Sequence, residues 1–174
     1  IEGMVQLARI EAGELNLRQT WCEAGEIIQT ALARAEPLLE NYRIKIFLEK
    51  DLPLVRVDSK TLSEVLFSLL ENASKYAPKN TGIEISVKRA DGEMLEFSIA
   101  DEGKGVPENL REHIFEKFFR VSEYNGEDHA PVGTGLGLAI AKGIVEAQGG
   151  MIRVENAVQS AGAKFIFTVP IGDE

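Results

Sequence analysis

The sequence predicts an α/β fold in which a mixed or mostly antiparallel sheet carries helices on one face. Three observations point there. Apolar residues recur at helical spacing in some stretches and on alternate positions in others. The two kinds of stretch intermix without regular strand–helix alternation, which disfavours a doubly wound parallel sheet. Two pairs of strands follow each other directly, one of them across Asp91-Gly92, a strong hairpin signal.

The elements follow in order. Residues 1–13 read as the end of a helix, with Val5, Ala8 and Ala12 along one side and Gly13 as its stop. Leu15 and Leu17 alternate with polar neighbours and predict a strand over 14–21. Ile27, Ile28, Ala31, Leu32, Ala35, Leu38 and Leu39 predict a helix over 24–40. Ile44, Ile46 and Leu48 alternate as a strand, and Val55 and Val57 make a short apolar stub. Asp58 is a good N-cap for a helix over 59–77 that buries Leu62, Val65, Leu66, Leu69, Leu70 and Ala73. Ile83, Ile85 and Val87, then Leu95, Phe97 and Ile99, form the hairpin. Residues 102–134 are irregular, and a loop that long in a compact domain is usually functional. A helix over 135–148 stops at Gly149-Gly150, and strands near 152–155 and 163–169 close the chain.

Composition narrows the function. With 174 residues, 44% hydrophobic and 27% charged, the chain is one ordinary globular domain with a real core. No apolar run approaches the ~20 residues of a membrane-spanning helix. Cys22 is the single cysteine, so an internal disulfide or a Cys-rich zinc site is excluded. A net charge of −9 without a Lys/Arg run argues against nucleic acid as a partner. An anionic ligand must then be held by local donors and a metal. The chain opens on Ile1 rather than Met and reads as an excised piece of a longer protein.

Three segments carry chemistry. Asp101 has the same parity as Leu95, Phe97 and Ile99, so it points to the apolar side of the sheet at a strand end. A carboxylate there needs a partner, and it suits an exocyclic amine such as that of adenine. Gly103 and Gly105 follow at once and allow close backbone approach. Alone, this segment reads more readily as a turn in open water. Ser68, Asn72, Lys75 and Tyr76 form a polar stripe on one helix. An amide oxygen suits magnesium, a lysine suits phosphate and a tyrosine ring suits a base. Alone, the stripe reads as a solvated helix face. The run Gly133, Thr134, Gly135, Leu136, Gly137 opens a helix, where free N–H groups and the dipole attract phosphate. It is neither a Walker A loop nor a dinucleotide fingerprint, and a flexible hinge stays open as the plainer reading.

In this order the segments resemble the sensor histidine kinase catalytic domain. SLLENASKY at 68–76 resembles its N box, DEGKGVP at 101–107 its first glycine box, FEKFFR at 115–120 its F box and GTGLGL at 133–138 its second glycine box. The resemblance spans about 14–170 and implies the Bergerat ATP-binding fold, a two-layer α/β sandwich shared with gyrase, Hsp90 and MutL. It implies ATP and Mg2+ as cofactors, with Asn72 on the metal and Asp101 on the adenine amine. Gly103 and Gly105 would line the base pocket, and Lys75 and Tyr76 would contact nucleotide from the helix. Gly133, Thr134, Gly135, Leu136 and Gly137 would cradle phosphate. Residues 119–134 would be an ATP lid anchored by Phe115, Phe118 and Phe119.

Two departures sharpen this reading. Hydrolysing relatives carry a water-activating glutamate four residues before the metal-binding asparagine, and Ser68 stands there instead. That favours phosphotransfer to a partner over hydrolysis. Glu71, beside Asn72, is left as a candidate catalytic proton acceptor, with a solvated glutamate as the plainer reading. Neither His113 nor His129 lies in the family's phosphoacceptor context, so both read as surface or packing histidines. Residues 1–13 then resemble the tail of the dimerisation helix, and 14–174 the catalytic domain. The phosphoacceptor domain upstream and a response regulator are the implied partners, with no membrane contact by this piece. The whole would be a membrane sensor kinase with this domain in the cytoplasm. ARIEAGELNLRQTW at 8–21 is similar to the KdpD-type, potassium-responsive kinases. Two other readings remain open: a non-catalytic nucleotide-binding regulatory module, and an anti-sigma-factor-type serine kinase of the same fold. The helix tail at 1–13 argues against the latter.

Overall fold

The computed structural model describes residues 2–120, 135–157 and 161–172. The helices are α1 (Glu2–Glu11), α2 (Ala24–Ala35), α3 (Ser59–Tyr76) and α4 (Gly137–Ala147). The strands are β1 (Thr20–Cys22), β2 (Arg43–Leu48), β3 (Val55–Val57), β4 (Gly82–Ala90), β5 (Met94–Ala100), β6 (Met151–Asn156) and β7 (Ala163–Pro170). The main sheet runs β2-β4-β5-β7-β6, with β2 parallel to β4 and every other pair antiparallel. β1 and β3 pair separately. The fold is the expected two-layer sandwich.

Period-two alternation builds the interface between the layers. Ile83, Ile85, Val87, Leu95, Phe97, Ile99, Phe165, Phe167 and Val169 are nearly inaccessible and meet Ile28, Leu62, Leu66, Leu69 and Ile144 of the helices. Phe97 and Phe167 are register partners and stack at 4.9 Å. The opposite face bears charge, with Glu96 near both Lys88 and Arg153. The Asp91-Gly92 hairpin forms as expected, with Gly92 at φ 80° and Glu93 at φ 58°.

Three expectations change. No strand spans 14–19. The amide of Arg18 donates to Asp58 Oδ2 at 2.8 Å, so a side chain pins this stretch, and only Thr20–Cys22 pairs as a strand. α2 stops at Ala35 and continues as a 3-10 turn over Glu36–Leu38, because Pro37 offers no N–H to extend the helix. On α1 the stripe Val5, Ala8, Ala12 faces solvent, and the packed side is Gly3, Leu7 and Ile10. The reason is α4. A Cβ at Gly143 would stand 2.4 Å from Ile10 Cγ2, so the missing side chain makes the notch that receives α1.

Asp58 caps α3 as expected, accepting from Thr61 N at 3.0 Å. Its own N–H donates to the buried Gln148 at the end of α4, whose amide donates to Thr61 Oγ1. Asp58→Ala thus removes a cap and strands the amide of Arg18. A loss of about 2–3 kcal/mol is expected. Thermal melting checks it, with a drop of about 5–10 °C.

Candidate functional site

Asp101 directly follows β5 and is 4% exposed. Its Oδ1 accepts from Gly103 N at 2.8 Å and from Ala163 N at 3.3 Å, and its own N–H donates to Ala163 O at 2.9 Å. Burial pushes its carboxyl above the usual aspartate range, and the N–H groups of Gly103 and Ala163 pull it part of the way back. Two glycines shape the loop after it. A Cβ at Gly103 would meet Tyr76 O at 2.8 Å, so this loop lies directly on the end of α3. Gly105 has φ 75° and lies against Ala161 O at 2.5 Å from a built Cβ, a position closed to other residues.

The polar stripe on α3 rises beside this loop. Asn72 is half-buried, and its side-chain amide has no hydrogen-bond partner among the described residues. Lys75 sits 3.6 Å from Glu71. Tyr76 is 42% exposed, and its carbonyl is the atom under Gly103. Glu71 is therefore held as the partner of Lys75 one turn away. Ser68 is half-buried on the same helix.

The F-box resemblance divides in two. Phe115 is buried edge-on to Phe165 at 6.2 Å, and Phe119 is half-buried near His113 at 5.9 Å. Phe118 is 54% exposed and holds by its backbone instead, its N–H donating to Gly135 O at 2.9 Å. A Cβ at Gly135, where φ is 74°, would strike Phe118 Cα at 2.7 Å. Leu136 is buried against Leu7, so it can offer a ligand only its backbone. Around Gly137, at the start of α4, nothing lies within 4 Å of a built Cβ. Gly133, Thr134, His129 and 121–134 of the expected lid lie outside the described residues. His113 pairs with Glu116 at 2.8 Å and is exposed, which is a surface role.

Sequence reasoning missed two residues here. Tyr42, just before β2, places its hydroxyl 2.9 Å from Ser74 O and 2.8 Å from Ala77 O. Its signal was a tyrosine just before an apolar-alternating strand, whose hydroxyl needs a partner when the ring packs against the core. Gly162 lies so close to Asp101 that a Cβ would stand 1.8 Å from its carbonyl oxygen.

Asp101 thus lies buried beside the end of the helix that carries Asn72, Lys75 and Tyr76, and Gly135 and Gly137 stand at the head of α4. Residues 57–173 match the family described as histidine kinase-, DNA gyrase B-, and HSP90-like ATPase, and the chain belongs to it. Within that family it is similar to sensor protein KdpD of Clostridium acetobutylicum, 34% identical over 170 residues, and to that of Escherichia coli K12, 36% identical over 170 residues. These alignments take in 98% of the chain but 18% of each relative, so the chain spans under a fifth of their length. Among solved structures it resembles full-length ShkA in complex with AMPPNP, with TM-score 0.85 and 26% identity over 99% of this chain and 35% of that one. It also resembles the mycobacterial sensor histidine kinase MprB, with TM-score 0.75 and 29% identity over 88% of this chain and 97% of that one.

Proposed function

We propose that this chain is the ATP-loading half of a two-component sensor kinase, which hands the γ-phosphoryl of ATP to a histidine of an upstream domain. The observation that carries this reading is Asp101: a buried acceptor, fixed by two backbone N–H groups, at the mouth of a glycine-lined loop. It suits the adenine amine. Gly103 and Gly105 let the loop after Asp101 close onto the end of α3 and onto Ala161, which fixes the wall on which a base would lie, and Tyr76 offers a ring at the helix end. The N-terminus of α4, with Gly135, Leu136 and Gly137, presents backbone donors suited to phosphate, continuing the segment that holds Gly133 and Thr134.

Magnesium fits through Asn72. Among the described residues no cluster of three or more His, Cys, Asp or Glu could hold a metal. The metal would take the amide oxygen of Asn72 and further ligands from phosphates and water, as magnesium does with a nucleotide. When bound, it supplies charge stabilisation at the phosphates. Lys75 adds a point charge once it leaves Glu71, and Glu71 then becomes available as a proton acceptor. Ser68 offers no base to activate water, so transfer is favoured over hydrolysis.

Residues 1–13 fit the end of the dimerisation helix, and 14–174 the catalytic domain. A response regulator is the downstream partner of the whole protein. No helix of the described residues is long and apolar enough to cross a membrane. In this reading the domain would lie on the cytoplasmic side of a longer, membrane-held kinase.

The chain is expected to bind Mg-ATP yet remain unlabelled by radioactive ATP alone. Adding the upstream helices in trans should restore acid-labile label on their histidine. Stable label on His113 or His129 would overturn the assignment. Binding without transfer to any supplied histidine would favour the regulatory-module reading.

A further inference from the structure

We propose that Tyr42 is a positioning residue of the adenine pocket, whose hydroxyl holds the end of α3 against the Asp101 loop and so sharpens selection for the adenine amine. The proposal rests on the nucleotide-site reading above and adds a residue from a different element.

The geometry begins with an orphan. In a helix the carbonyl of Ser74 would accept from the amide four residues on, but that residue is Pro78, which has no N–H. α3 ends at Tyr76. The Tyr42 hydroxyl fills the gap, lying 2.9 Å from Ser74 O and 2.8 Å from Ala77 O. Those two carbonyls flank that of Tyr76, and a Cβ at Gly103 would stand 2.8 Å from Tyr76 O. Gly103 in turn donates its N–H to Asp101 at 2.8 Å. The line from phenol to carboxylate is continuous: hydroxyl, helix end, Gly103, Asp101.

The two ends also sense each other directly. Burial pushes the Tyr42 phenol up, and the nearby Asp101 carboxylate adds to the push. The hydroxyl therefore keeps its proton and remains a single donor shared between the two helix carbonyls.

Backbone contacts hold the neighbouring chain without this hydroxyl. Arg43 N donates to Thr81 O at 3.0 Å, Asn80 N donates to Asn41 O at 2.7 Å, and β2 continues in register with β4. Tyr42→Phe keeps the ring in the core and removes only the tie to the helix end, so the fold survives. The carbonyls of Ser74 and Ala77 then turn to water, and the surface under Gly103 loosens.

The test is a calorimetric titration of the chain as it stands with Mg-ATP and with Mg-ITP, which carries a carbonyl where adenine has its amine. Wild type, Tyr42→Phe and Asp101→Asn are compared, each with a thermal melt. Tyr42→Phe should weaken ATP about 5-fold and ITP much less, so that the ATP/ITP preference falls while melting moves by only a few degrees. An unchanged ATP affinity and preference would overturn the role. So would equal weakening of both nucleotides with a large fall in melting temperature, since that is what a purely structural hydroxyl predicts. If Asp101→Asn also binds ATP like wild type, the site itself is misplaced, and the proposal for Tyr42 falls with it.

Discussion

Asp101→Asn should weaken ATP binding by about 100-fold or more while the melting temperature stays level or rises. The asymmetry follows from how the carboxylate is used. Both backbone donors, Gly103 N and Ala163 N, bond to Oδ1. In the variant those N–H groups hold the amide oxygen at that position. The amide nitrogen then takes the other position and meets the adenine amine donor to donor. Stability runs the opposite way. Burial raises the native pKa of Asp101 above its unfolded value, so the native state binds the proton more tightly than the unfolded chain. Stability contributed by this group is therefore present below the unfolded value and is lost as pH rises through the raised native one. An asparagine carries no such charge. Calorimetric titration with Mg-ATP beside a thermal melt at neutral pH reads both effects, and wild-type affinity would remove Asp101 from the site.

The opposite outcome is expected one strand away. Gly162→Ala should destabilise the domain by about 3 kcal/mol or more and lower melting by roughly 10 °C. A Cβ there would stand 1.8 Å from the carbonyl oxygen and 2.6 Å from the carbonyl carbon of Asp101, and neither is a flexible side-chain end. Relief requires β5 and β7 to part where Asp101 N bonds Ala163 O. ATP binding should weaken in step because the same movement displaces the carboxylate. Gly137→Ala is the control, since nothing lies within 4 Å of its Cβ and melting should stay unchanged. A stable Gly162→Ala protein would show that the strand ends yield more readily than their spacing implies.

What the sequence made legible was local. Asp91-Gly92 needs only its own backbone to signal a turn, Asp58 needs only Thr61 to be a cap, and the parity of Asp101 follows from its own strand. The side of α1 that would pack was not legible. Val5, Ala8 and Ala12 and the pair Leu7 and Ile10 both lie at helical spacings, and the surface of α4, with its notch at Gly143 and with Leu136 and Ala139, decides between them. The stretch 14–19 misled because two leucines alternate as in a strand, while the bond that fixes it comes from Asp58, far along the chain. Tyr42 escaped for a related reason: its role depends on the missing N–H of Pro78 and on Gly103, neither close to it in sequence. Residues whose work is local were readable, and residues that join distant segments were not.

The bond from Phe118 N to Gly135 O joins two backbone atoms, so the clasp is indifferent to the side chain at position 118. Phe118 is exposed and can be exchanged over generations without undoing it. Gly135 cannot: its φ of 74° and the 2.7 Å from a built Cβ to Phe118 Cα leave no room for another residue. The two partners of one bond therefore carry opposite freedoms to change.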